Sequence, residues 1–197
     1  MRDFVVIGAM ALAAAGARAD IVTNGTFDTN LVGWTWTPDV GSEPTMTPAV
    51  APGPFGTGNA FRVNPGNASG SLDLGGTLAQ SVTLVGGVNY TVSGSLAIQN
   101  VSGGPNADGG TITVRLGGTL LHTFDVTTIN GATTLTDPFS VPFTPGVGGS
   151  FALEIRFTRN FANFVPNIYH WADNIAIVPS PSGLALLAMG LCLRRRR

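Results

Sequence analysis

The sequence predicts an all-β protein, an antiparallel β-sandwich, and three observations predict it. Apolar residues recur at every second position in several short runs, the signature of half-buried strands. Glycine and proline punctuate those runs: 27 Gly and 13 Pro stand in 197 residues, about a fifth of the chain where about 12% is usual. Only 11% of residues are charged, and all ten basic residues are arginine. The Ala, Leu, Glu and Lys mixture that sustains long helices is therefore absent outside the two ends. Collagen is excluded because the glycines keep no period of three, and disorder because 44% of the chain is hydrophobic.

The elements follow in order. Residues 1–19 read as a secretory signal peptide. Arg2 gives a short basic start, Phe4 to Gly16 an apolar core, and Ala17-Arg18-Ala19 a small-x-small cleavage site. Residues 20–178 form one domain. Within it the strand-like runs are Ala60 to Val63, Leu78 to Leu84, Val88 to Ile98 and Thr111 to Leu116, then Thr119 to Asp125, Phe139 to Phe143, Phe151 to Phe157 and Tyr169 to Val178. Thr119 to Asp125 is expected to pair with Thr111 to Leu116 through Gly117-Gly118. Pro142 marks its strand as an edge or a bulge. Phe151, Leu153, Ile155 and Phe157 should face one way. The 22 threonines of this stretch suit solvent-facing strand positions. Thr37 to Gly58 and Gln99 to Gly110, rich in Pro and Gly, read as long loops, either a binding rim or mobile connections.

Residues 179–197 have three parts: Pro179-Ser180-Pro181, an apolar run from Gly183 to Leu193, and the block Arg194, Arg195, Arg196 and Arg197. As a helix the apolar run reaches about 16 Å, half of a 30 Å hydrocarbon core, and the arginines would stay on the cytoplasmic side. This tail resembles the PEP-CTERM sorting signal of bacterial envelope proteins, with Ser180 where that motif has Glu. The resemblance implies an exosortase-type membrane protease as partner and transient inner-membrane contact through the tail. It further implies an exported product at the cell envelope or outside it, cut near Pro179-Ser180-Pro181. A simple C-terminal tail anchor is the alternative.

Charge sharpens the picture. Residues 20–178 carry four arginines (Arg62, Arg115, Arg156, Arg159) against ten acids, a formal charge of −6 that the basic tail hides in the total of −1. That disfavours anionic ligands such as nucleic acid and sulfated polymers. The single cysteine, Cys192, excludes an intramolecular disulfide and a Cys-based zinc site.

Four pieces of the domain occur in an order that resembles the galactose-binding-like jelly roll of bacterial carbohydrate-binding modules. They are Ile21 to Asp28 with Gly33-Trp34, Leu78 to Ser93 through Gly86-Gly87, Phe151 to Phe157, and Trp171-Ala172-Asp173-Asn174-Ile175-Ala176-Ile177. The resemblance implies a structural calcium between the first and last strands, with Asp28 and Asp173 as its carboxylates and main-chain oxygens completing it. Without a metal, Asp28 is a turn residue and Asp173 a hydrogen-bonding group.

An aromatic side chain can present a flat face to a sugar ring. The resemblance implies that Trp34 is a core tryptophan, and Trp171 is a second core candidate; Trp36 is the best candidate for exposure, Tyr169 a further candidate, and Phe161 and Phe164 are rim aromatics or loop anchors. Hydrolytic chemistry has little support. A glycosidase needs two carboxylates about 5 to 9.5 Å apart, and nothing pairs Glu43 with Glu154. His122 with Asp125, and His170 with Asp173, are three apart on strands, so each pair falls on opposite faces. The expected function is thus a non-catalytic exported protein that binds or organises extracellular polysaccharide. The alternative is a structural matrix protein that self-associates without binding sugar; a glycan-active enzyme ranks last.

Overall fold

The computed structural model describes residues 20–42, 47–56, 58–66, 73–104, 107–160 and 168–180. The alternating runs become strands β3 (Asn59–Val63), β4 (Leu74–Leu84), β5 (Tyr90–Asn100), β6 (Gly110–Leu116), β7 (Thr119–Val126), β8 (Thr134–Phe143), β9 (Gly149–Arg159) and β10 (Ile168–Pro179). Two further strands were not foreseen: β1 (Thr35–Pro38) runs into, and β2 (Ala49–Pro52) lies within, the stretch Thr37 to Gly58 that the sequence predicted as loop. Two five-stranded sheets result, ordered β1-β4-β9-β6-β7 and β2-β3-β10-β5-β8, and all their pairings are antiparallel. This is an all-β jelly-roll sandwich. The expected terminal helices, in residues 1–19 and 183–193, lie outside the described residues.

The physical reason for the missed strands is proline. Lacking an N–H, it is disfavoured within the span of a central strand, but an edge leaves one side of the ladder open. Pro38 in β1, Pro52 in β2, and Pro138 and Pro142 in β8 all lie on edges of their sheets. The β6–β7 hairpin forms as the sequence predicted. Gly117 (φ 56°) and Gly118 (φ 81°) supply the two left-handed residues that a tight turn of the favoured twist requires.

The core lies between the sheets. Leu78, Leu153, Ile155, Phe157, Ile112 and Leu116 from one sheet meet Phe61, Leu96, Ile98 and Ile177 from the other, all fully buried. Residues 20–34 have no strand of their own and are fastened by side chains and by two backbone hydrogen bonds to β10, Ile21 N to Ile177 O (3.0 Å) and Ile175 N to Gly25 O (2.9 Å). Gln80 accepts from Thr23 N (2.7 Å) and donates to the carbonyls of Thr23 (2.8 Å) and Gly33 (3.1 Å). Asp20 accepts from Ile177 N (2.9 Å). Phe27 and Trp34 enter the core together, 5.3 Å between ring centres.

Candidate functional site

The side chains of the β2-β3-β10-β5-β8 sheet divide by the period of two. Leu96, Ile98, Ala172 and Phe61 point inward, so their neighbours point out. The register places Trp171 between Arg62 of β3 and Ala97 of β5, and Ala97 beside Thr136 of β8. Asp173 pairs with Ser95, and Ser95 with Pro138. These residues therefore share the outer face. A second apolar cluster forms there, separate from the core: Ala60, Ala97 and Trp171, with Ala51, Phe55 and Tyr169 packed against them. The small alanines on either side leave room for the indole.

Phe55 reaches this face from the β2–β3 connection, which is closed by a hydrogen bond from Gly53 N to Gly58 O (2.9 Å). Beside it lies a hollow of about 270 Å³ lined by Pro54, Phe55, Ser95, Thr136, Pro138 and Asn174. Asn174 owes its outward position to an irregularity of β10 between Asp173 and Ala176, where it takes φ 53°. Asparagine tolerates that left-handed conformation better than most residues. The lining mixes apolar surface with hydroxyl and amide groups, the chemistry that recognises a small polar ring.

Arg62 is the cation of this face. Its guanidinium carbon lies 4.5 Å from the centre of the Tyr169 ring and 5.5 Å from that of Trp171, within cation–π range. The two rings meet edge to face at 6.2 Å. Trp171 is 3% exposed, and its Nε1 is buried without a hydrogen-bond partner among the described residues.

The expected site residues fall in different places. Tyr169 is on this face, half-buried beneath Arg62. Trp36 is not the exposed tryptophan that the sequence suggested. It is half-buried, its ring packs 5.7 Å from Phe61 and 6.2 Å from Phe157, and it joins the core. The reason is parity: β1 is a strand, and residue 36 is its inward position. Trp34 and Trp171 are buried, as expected. Phe161 and Phe164 lie outside the described residues.

Asp28 is exposed and accepts from Thr26 Oγ1 (2.7 Å). Asp173 is 1% exposed, and Asn174 donates to it through N (2.8 Å) and Nδ2 (3.0 Å). Among the described residues no group of three or more His, Cys, Asp or Glu side chains converges. Calcium at Asp28 and Asp173 would thus draw most of its six to eight oxygens from the main chain.

The last strand was expected to stop at Val178. It extends to Pro179, opposite Tyr90, and Ser180 N then donates to Asn89 O (2.8 Å). The proline interrupts one position of the ladder, and the next residue resumes it. Pro181, Arg194, Arg195, Arg196 and Arg197 lie outside the described residues.

The histidines have partners the sequence did not reveal. His122 Nε2 meets Asp137 Oδ2 of the opposite sheet at 2.7 Å, and its ring stacks on Phe139. Asp125 instead accepts from Thr111 Oγ1 (2.6 Å). His170 is fully buried and donates from Nε2 to Gly109 O (2.6 Å). Burial pushes its pKa down to about 3, against the pull of that carbonyl.

Arg62, Phe55, Ser95, Thr136 and Asn174 were not singled out in the sequence. Outward parity of β3 and β10 was a usable signal, but register decides which outward residues meet.

The solved structures to which the chain is similar include carbohydrate-binding modules. A family 16 carbohydrate-binding module is 17% identical over 81% of this chain and 99% of its own, with a TM-score of 0.46. A protein of Bacteroides thetaiotaomicron with a provisional sugar-binding assignment is 8% identical over 82% of this chain and 100% of its own, at 0.52. An arabinose-bound α-L-arabinofuranosidase is 16% identical over 82% of this chain, at 0.46, but the chain spans only 26% of that enzyme. At these identities the likeness is one of fold. No family model matches the chain, and no curated protein matches it in sequence.

Proposed function

We propose that residues 20–178 form a non-catalytic glycan-binding domain that uses the outer face of the β2-β3-β10-β5-β8 sheet. The observation that carries this reading is the hollow beside the Arg62–Tyr169–Trp171 cluster. Its volume of about 270 Å³ leaves room for one sugar ring. Its lining offers the apolar contacts and hydroxyl and amide groups that a pyranose requires. A chain of sugars could run on from it along the sheet face.

Native gel electrophoresis of the purified protein through a panel of polysaccharides tests the reading. Retardation by at least one envelope or extracellular polysaccharide is expected; unchanged mobility in all of them would overturn it. Calcium held by Asp28 and Asp173 belongs to the same proposal. Asp28 follows, and Asp173 precedes, the point where Ile175 N donates to Gly25 O (2.9 Å). Gels run with calcium and with a chelator should agree in glycan binding, while the chelated protein melts at lower temperature.

We further propose that the protein is exported, held briefly in the inner membrane by residues 183–197, and processed by an exosortase-type protease. Support comes from the sequence of the two ends. Mass spectrometry of the mature protein should find Asp20 first and Arg197 absent. A mature chain that keeps Arg197 contradicts the processing.

A further inference from the structure

The strands of the proposed binding sheet bring three charged side chains: Arg62, Asp137 and Asp173. Asp137 is engaged by His122 at the sheet edge. Asp173 is 1% exposed and accepts twice from Asn174. That leaves Arg62 as the accessible charge of the face.

Arg62 also differs from the other three arginines of the domain. Arg156 forms a two-pronged contact with Asp39, 2.8 Å on each prong. Arg159 donates to Asn64 (3.3 Å) and feels the charge of Asp108. Arg115 donates to Gly118 O (3.1 Å). Among the described residues, Arg62 stacks on the two rings, and no carboxylate forms an ion pair with it. A ring face supplies no lone pair to an N–H group. The stacking therefore positions the guanidinium while leaving its planar fork of donors without an acceptor. Trp171 Nε1, in the same cluster, is a second donor lacking one among the described residues. A neutral sugar that stacked on Tyr169 would have to displace Arg62, whereas a carboxylate would use it where it stands.

We propose that this face takes a carboxylated glycan, a polymer containing uronic acid residues, with the sugar carboxylate received by Arg62. The inference rests on the glycan-binding reading above and narrows it. The domain's charge of −6 does not forbid it. Charges more than about 8 Å apart are largely screened at physiological salt, and a two-pronged arginine–carboxylate contact acts at hydrogen-bond range.

The test compares one polymer in two charge states. Polygalacturonate and its fully methyl-esterified form share a backbone and differ in the carboxylate; alginate and polyglucuronate extend the panel of uronates. The full-length protein, Arg62→Met and Arg62→Lys are run in affinity gels with each, and thermal unfolding checks that the variants fold. A polyuronate should retard the wild-type protein about tenfold more strongly than the ester does, as expected for a hydrogen-bonded ion pair. Arg62→Met should lose that excess, so that acid and ester retard it alike, and Arg62→Lys should fall between. Free galacturonate should compete, and acetate at the same concentration should not.

Equal binding of acid and ester overturns this proposal and leaves the glycan-binding reading standing, as does full uronate binding by Arg62→Met. Displacement by acetate reassigns Arg62 to simple anions and overturns the saccharide class. Binding to no polymer at all overturns both readings.

Discussion

Asp39 and Arg156 stand 117 residues apart and meet through two hydrogen bonds of 2.8 Å, while Gly75 N donates to the same carboxylate at 2.9 Å. The Arg156 hydrogen bonds hold the Asp39 carboxyl below its ordinary pKa, against a smaller opposing effect of burial. A carboxyl whose pKa is lower folded than unfolded adds stability above the unfolded value, about 3.9. That contribution is lost as pH falls through the folded value. His170 acts over a different window. Its pKa falls from about 6.5 unfolded to about 3 folded, so its neutral form stabilises the fold fully above 6.5. The contribution is lost progressively as pH drops from there toward 3. Urea unfolding should therefore show a midpoint that declines already between pH 6.5 and 4.5. The decline should be much shallower in His170→Asn. At pH 7, Asp39→Asn should cost about 1 kcal/mol, a modest figure because Arg156 is partly exposed, and its deficit should shrink toward pH 3. Equal slopes for wild type and His170→Asn would contradict the assignment.

β1 shows what an element of four residues contributes and why sequence pattern misses it. Its inward residue, Trp36, lies on Gly76 of β4. A Cβ at position 76 would stand 2.5 Å from Trp36 Cζ2 and 2.8 Å from Thr37 O. Gly76→Ala should therefore push β1 off the sheet edge and cost about 2 kcal/mol, typical of forced overpacking. Circular-dichroism melting checks this, and a melting temperature equal to the wild type's would count against the packing described. The long strands were legible because alternation over seven or more residues can arise in few other ways, as in β4, β5 and β9. β1 and β2 were not, since four residues carrying a proline show no period. Register was not legible either. Nothing in the sequence says that Arg62 lies opposite Trp171, that Gln80 ties residues 23 and 33 to β4, or that Asp39 meets Arg156. The candidate face was therefore glimpsed through Tyr169 alone, while Trp36, taken for an exposed aromatic, belongs to the core.

At the scale of the whole molecule the two sheets expose unlike faces. The outer face of β1-β4-β9-β6-β7 carries Thr35, Thr37, Thr77 and Thr123 with the charged Glu154 and Arg156. The face of β2-β3-β10-β5-β8 carries the aromatic–arginine cluster and the hollow. Under the proposed function, glycan binds to the second face and not the first. That placement is tested most directly by polysaccharide affinity electrophoresis of two variants made alike. Thr136→Trp fills the hollow from its rim. Thr123→Trp, at an exposed position of β7, puts the same ring on the opposite sheet. Both should melt near the wild-type temperature. Thr136→Trp should weaken binding at least about tenfold, the loss of one well-packed subsite, while Thr123→Trp should bind as the wild type does. Binding that survives in Thr136→Trp and fails in Thr123→Trp would place the site on the wrong sheet and contradict the account.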